Sequence, residues 1–143
     1  MGDTKNKRIL IVEDEKQFRY SISLALRSAG INVGEASDGL EALRIIQQAQ
    51  KISKKIDLLI LDLQLPKLNG FELIDELKRI KYSVPTLIIS GNVKKDQLRE
   101  LKEKGCIGLL RKPFNPEQLI KRVNSVFYNE TSKIFQNLNI MHN

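Results

Sequence analysis

The strongest constraint on this chain is a regular alternation of two kinds of segment. Five short apolar runs, Ile9–Val12, Ile31–Val33, Leu58–Leu61, Leu87–Ile89 and Ile107–Leu110, are separated by segments with apolar residues at helical spacing. Uninterrupted apolar runs suit strands covered on both faces, because a strand with one wet face would alternate with polar residues. The first intervening segment carries Phe18, Ile22, Ala25, Leu26 and Ala29 and is closed by Gly30. The second opens at Asp38, a good N-cap, and carries Ala42, Leu43 and Ile46. Phe71, Ile74 and Leu77 mark the third; Leu119, Val123, Val126 and Phe127 mark the last. The fourth, Val93 to Lys104, has only Leu98 and Leu101 well inside it, which predicts the least tightly packed helix, ended by Gly105. Strands alternating with helices in this way predict an α/β fold, a doubly wound five-stranded parallel sheet with helices on both faces. Leu58–Leu61 reads as a central strand. Ile31–Val33, short and followed by Gly34-Glu35, reads as an edge.

Composition narrows the class. With 143 residues, 41% of them hydrophobic and 29% charged, the chain is one ordinary globular domain able to bury a full core. No apolar run approaches the ~20 residues of a membrane span. The opening "MGDTKNKR" does not resemble a signal peptide, and Asn6 breaks the myristoylation pattern. Cys106 is the only cysteine, which excludes an internal disulfide and a thiolate metal site. A cytoplasmic location is the default expectation. The formal charge of +7 raises the question of nucleic acid. In "VKKDQLRELKEKG", however, charges alternate in sign at helical spacing, as on a solvated, salt-bridged face. Without aromatic interleaving or a recognition motif, nucleic-acid binding is not the expected role. The tail from Tyr128 to Asn143 shows no clear periodicity and reads as a short, frayed extension; its His142, the sole histidine, reads as a bystander.

In a sheet with right-handed crossovers every strand points the same way, so the residues after the strands gather along one edge. The first run is followed by Glu13-Asp14-Glu15, the third by Asp62, the fourth by Ser90, and the fifth by Arg111-Lys112-Pro113. The second supplies little. Taken singly, each has a bland explanation. Asp62 could be a turn former, Ser90 the start of a turn, Lys112 a solvated lysine, and Glu13-Asp14 a helix cap. After four successive runs the coincidence is hard to dismiss. Crowded carboxylates raise one another's pKa unless a cation neutralises them, and a hard oxygen site with few ligands suits Mg²⁺. A metal, an ammonium and a hydroxyl together cradle a transferring phosphoryl group, with one carboxylate as nucleophile.

At these residues the chain resembles the receiver domain of two-component response regulators. The stretches that carry the resemblance are "ILIVEDE", "IDLLILDLQLPKLNGFEL", "LIISG" and "LLRKPFNPEQL", and it covers roughly residues 7–128. The resemblance implies a flavodoxin-like fold with strand order 2-1-3-4-5. It implies that Asp62 is the phosphoacceptor and that Mg²⁺ is the cofactor, held by Asp14 directly, by Glu13 through water, by Asp62 and by the backbone carbonyl of Gln64. Ser90 and Lys112 would bind the phosphoryl oxygens, and Lys112-Pro113 would be a cis peptide. The implied partner is a histidine kinase or phosphotransfer protein, with an unidentified downstream protein effector. Signalling would run through the fourth-helix and fifth-strand face, with room for a phosphorylation-dependent homodimer. Such a protein promotes its own phosphorylation and dephosphorylation and is not a conventional turnover enzyme.

Several positions depart from the family's common pattern. Leu109 stands at the switch position, where many receivers carry Tyr or Phe, so aromatic rotamer coupling cannot operate there. Gly91 replaces the more frequent Ala, and Gln64 and Asn92 sit where phosphoryl lifetime is tuned. Two other readings compete. An aspartyl-phosphate hydrolase of the haloacid dehalogenase type wants a second acid where Gln64 stands. A degenerate receiver acting as a phosphorylation-independent docking module is opposed by the intact Glu13, Asp14, Asp62, Ser90 and Lys112. The sequence fits either a stand-alone receiver or one domain of a longer regulator.

Overall fold

The computed structural model describes residues 6–128. Five strands, β1 (Arg8–Val12), β2 (Asn32–Ala36), β3 (Leu58–Asp62), β4 (Thr86–Ser90) and β5 (Gly108–Arg111), alternate with five helices among them. The helices are α1 (Lys16–Ser28), α2 (Gly39–Lys51), α3 (Gly70–Arg79), α4 (Lys95–Glu103) and α5 (Pro116–Tyr128). All strands pair in parallel in the order β2-β1-β3-β4-β5, the flavodoxin-like arrangement. Residues 129–143, read from sequence as a frayed extension and holding His142, lie outside the described residues, as do residues 1–5 at the start of the opening segment.

Strand periodicity divides the core into two layers. Leu10, Val12, Leu59, Leu61 and Ile88 point to the side covered by α2, α3 and α4, where they join Ala42, Ile46, Leu73, Leu77 and Leu101. Ile9, Ile11, Leu58, Ile60, Leu87 and Ile89 point to the other side, against Ile22 and Leu26 of α1 and Leu119 and Val123 of α5. Every residue of β3 and β4 is buried, as the uninterrupted apolar runs predict for central strands. Each leucine or isoleucine among them contributes about 1.5–3 kcal/mol by leaving water. α4 buries only Leu101 fully, so it is the thinly packed helix its composition predicts.

Two strands differ from the apolar runs that predicted them. β2 begins after Ile31 and continues through Gly34 and Glu35 to Ala36, because β1 pairs with it over its whole length. An edge strand needs a backbone partner more than it needs apolar side chains. Ile31 instead closes α1, its N–H donating to Leu26 O at 3.2 Å. β5 likewise starts at Gly108 and leaves Ile107 exposed.

The helix ends follow local chemistry. Asp38 caps α2 by accepting the Glu41 N–H at 2.8 Å, a bond that holds its carboxyl below the usual range. Asn69 and Glu72 form a reciprocal capping box at the start of α3. The C-termini of α1 to α4 all close the same way, with the next residue but one donating back to the last turn: Ile31 to Leu26, Lys54 to Ala49, Tyr82 to Leu77, Cys106 to Leu101. The residue between adopts positive φ each time: Gly30 (84°), Ser53 (56°), Lys81 (58°) and Gly105 (89°). Two of the four are not glycine.

The loop between β3 and α3 folds tightly over the carboxyl edge of the sheet. A Cβ on Gly70 would lie 2.7 Å from Asp62 O and 2.7 Å from Leu63 Cα, and one on Gly39 would lie 2.0 Å from Leu68 O. Both contacts are with backbone, which cannot swing aside. Gly70→Ala is expected to destabilise the fold by about 1–3 kcal/mol, the scale of overpacking. Thermal unfolding followed by circular dichroism checks this; an unchanged midpoint would show that the loop relaxes freely.

Candidate functional site

Parallel pairing delivers the ends of four strands to one place. Leu61 lies beside Val12 across the β1–β3 pair, Asp62 beside Ile89, and Ser90 beside Arg111. The residues that follow these rungs therefore converge. Carboxylate oxygens of Glu13, Asp14 and Asp62 all lie within 4.8 Å of one another. Glu13 and Asp62 are buried, whereas Asp14 is exposed. The Lys112 ammonium sits between the two buried acids, donating to Asp62 Oδ2 at 3.0 Å and to Glu13 Oε1 in a shorter contact.

Electrostatics follow from this packing. Burial pushes the Glu13 carboxyl up to about 7; the charge of Asp62 adds to the rise, while the Lys112 bond and the Glu15 N–H oppose it. Burial alone would lower the Lys112 pKa, but its bonds to Glu13 and Asp62 outweigh that and raise it above the usual lysine range. The ammonium is also held over the Phe18 ring, 4.6 Å from its centroid, and Phe114 meets Phe18 edge-on at 5.4 Å. The Lys112 N–H donates to Ser90 O at 2.9 Å, and the Lys112-Pro113 peptide is cis.

The remaining sequence-selected residues take distinct places. Ser90 is buried at the edge, its Oγ accepting the Asn92 N–H at 3.4 Å. The Gln64 N–H donates to Asp62 Oδ1 at 3.2 Å. An added Cβ on Gly91 would meet only Lys112 Cβ, at an ordinary 3.8 Å, so nothing packed there requires glycine. Leu109 lies apart from the polar residues, half-buried against the core layer that contains Ile88, Val93 and Leu101.

A supporting layer was not legible in the sequence. Arg19 of α1 donates from Nη1 to Glu13 O at 2.8 Å and from Nε to Glu35 Oε1 at 3.1 Å. Arg27 reaches Glu35 as well, at 3.4 Å, and Val33 O at 3.0 Å. β2, expected to supply little, thus supplies the anchor for the arginine that grips the acidic loop. Phe18 read only as a core residue of the first helix. Charge pairs and ring contacts between elements far apart in sequence have no periodicity by which to find them.

The donor set suits a hard cation. The cluster offers carboxylate oxygens alone, at mixed exposure, and Asp14 faces solvent, as a partly hydrated Mg²⁺ requires.

A flavodoxin-like sheet with such a polar carboxyl edge defines the class, and comparison with known proteins names the family. The response regulator receiver domain model matches residues 9–124. The chain belongs to the response regulator receiver family and is a module of two-component signalling. It is 34% identical over 122 residues to the alkaline phosphatase synthesis transcriptional regulatory protein PhoP of Bacillus subtilis, covering 85% of this chain and 48% of that protein. To the phosphate regulon transcriptional regulatory protein PhoB of Pseudomonas aeruginosa it is also 34% identical, covering 84% of this chain and 51% of that one. The chain spans about half the length of these curated relatives. The solved structure of the chemotaxis protein CheY4 of Vibrio cholerae matches with a TM-score of 0.75 at 33% identity, over 85% of this chain and 98% of that one. No helix among the described residues is long and apolar enough to cross a membrane.

The raised pKa of Glu13 has a definite sign. The folded protein holds a proton that the unfolded chain releases near the ordinary value of 4.5. The associated stability is fully present below that pH and is lost as pH rises to about 7. In chelator-treated protein, the thermal midpoint of wild type relative to Glu13→Gln is therefore expected to fall across this window and then level off. Parallel curves for the two proteins would show that Glu13 titrates normally.

Proposed function

We propose that this receiver accepts a phosphoryl group on Asp62 from a histidine kinase or phosphotransfer protein, in a Mg²⁺-dependent reaction. The observation that carries the reading is the Lys112 ammonium, 3.0 Å from Asp62 Oδ2 and shared with Glu13 at the same sheet edge. Glu13, Asp14, Asp62 and the backbone carbonyl of Gln64 would hold the cation. Bound there, Mg²⁺ supplies positive charge to the crowded carboxylates and to the incoming phosphoryl oxygens.

The chain's own residues account for the rest. An Asp62 carboxylate oxygen forms the new bond to phosphorus as the bond from phosphorus to the donor's imidazole nitrogen breaks, and that electron pair leaves with the imidazole. Lys112 is placed to exchange part of its contact with Asp62 for a phosphoryl oxygen, and its carboxylate partners keep it protonated for that task. Ser90, one rung away, donates its hydroxyl hydrogen to a second oxygen; its Oγ only accepts in the weak contact with the Asn92 N–H. The product is a stored aspartyl phosphate, so the protein acts as a switch and not as a conventional turnover enzyme.

The added charge, up to about −2, then pulls Ser90 and Lys112 and biases the surface of α4 and β5. α4, with a single fully buried side chain, is the element least costly to move, and Leu109 is the half-buried switch position beside it. We assign this action to the cytoplasm, with a protein effector downstream and homodimerisation through the α4–β5 face as a further outcome. In a longer regulator the domain is the phosphorylation-controlled input; as a separate chain it acts through protein contacts.

The test is incubation with acetyl phosphate, with and without Mg²⁺, followed by intact mass spectrometry. One Mg²⁺-dependent phosphoryl addition is expected in wild type and none in Asp62→Asn. Lys112→Ala is expected to slow the addition by at least ~tenfold, equivalent to ~1.4 kcal/mol of barrier. Wild type that stays unmodified even with a competent kinase as donor would leave the docking-module reading in its place.

A further inference from the structure

The sheet edge opposite the acidic cluster carries a feature that receiver chemistry does not use. There the strands begin and α2, α3 and α4 end. Two cavities, of about 400 and 200 Å³, share Tyr82 as a common wall. Ile74, Leu77 and Val84 contribute apolar surface to the larger one. Lys78, Lys81 and Lys104 also line it, while Lys54 and Lys55 line the smaller. We infer that this lysine-rimmed groove docks an acidic segment of a partner protein, one in which carboxylates alternate with apolar side chains.

Charge supports this first. Lys104 is paired with Asp75, but among the described residues Lys54, Lys55, Lys78 and Lys81 form no ion pair. The negative end of a helix dipole explains a lysine in a last turn, such as Lys78. It does not explain Lys54 and Lys55, which lie beyond α2.

Backbone conformation supports it independently. α1 and α4 place glycine at the positive-φ position of their C-terminal caps; α2 and α3 place Ser53 and Lys81 there. Both of those non-glycine residues line the cavities, Lys81 the larger beside Gly105 of the α4 cap and Ser53 the smaller. A side chain at positive φ is strained relative to glycine, and strain of this kind persists at functional sites. Lys81 stands where glycine would serve the fold better.

The same residues select the ligand. Arg79, the nearby guanidinium, is occupied by Glu76 at 2.8 Å, so no free fork is offered there to a phosphate. Tyr82 Oη accepts the Ile56 N–H at 3.2 Å, which holds the ring in place as the wall common to both cavities. Lysine point charges above an apolar lining fit carboxylates interspersed with apolar side chains better than they fit a nucleic-acid strand.

The probe is a fluorescein-labelled peptide of alternating Glu and Leu, titrated into the full chain beside a labelled oligothymidylate of equal charge. Saturable peptide binding is expected, weakened by salt, with amide chemical-shift changes at Tyr82 and Cys106 and no change in Asp62→Asn. Lys81→Gly is expected to raise the thermal midpoint while weakening the peptide by roughly two- to fivefold, the scale of one exposed charge pair. Stability and binding then move in opposite directions, which a purely structural lysine cannot produce. Absent binding, shifts elsewhere, unchanged affinity in Lys81→Gly, or tighter binding of the oligothymidylate would each overturn the inference.

Discussion

The ammonium of Lys112 is the contact on which the arrangement of the carboxyl edge depends. Lys112 follows β5, Asp62 ends β3 and Glu13 follows β1, so one side chain ties the end of β5 to the adjacent ends of β1 and β3, across the intervening β4. Without it two buried carboxylates would face each other with no cation between them, and burial makes such repulsion costly. The bond to Ser90 O fixes the lysine's backbone to the intervening strand, and Phe18 fixes its head from one side. The same lysine that stabilises the resting edge is thereby poised over Asp62.

Around that contact the fold builds outward in layers. Arg19 holds the Glu13 carbonyl, and Glu35 holds Arg19, so the acidic loop is clamped from an edge strand that contributes nothing to the cluster itself. On the other side, Gly70 lets the loop after β3 approach the backbone of Asp62 more closely than any side chain would permit. These contacts fix the backbone from which the carboxylates project.

The two edges of the sheet gather different side chains. The strand C-termini gather acids around one lysine, while the strand N-termini and the ends of α2, α3 and α4 gather lysines around two cavities. The net charge of +7 describes neither edge.

Much of this was determined by sequence alone. Five apolar runs separated by amphipathic segments allow little besides a parallel sheet, and parallel strands must bring Glu13, Asp14, Asp62, Ser90 and Lys112 to one edge. Asp38 as a cap and the thin packing of α4 were equally local, since capping and apolar periodicity are properties of neighbouring residues. The extent of β2, the Arg19–Glu35 clamp, the Phe18 ring beneath the ammonium and the rise of the Glu13 pKa were not. Each depends on distance or burial between residues remote in the chain, and no spacing rule encodes either. The lysine groove is the clearest case: its members end three different helices, and only the packing of those helices side by side turns scattered charges into a surface.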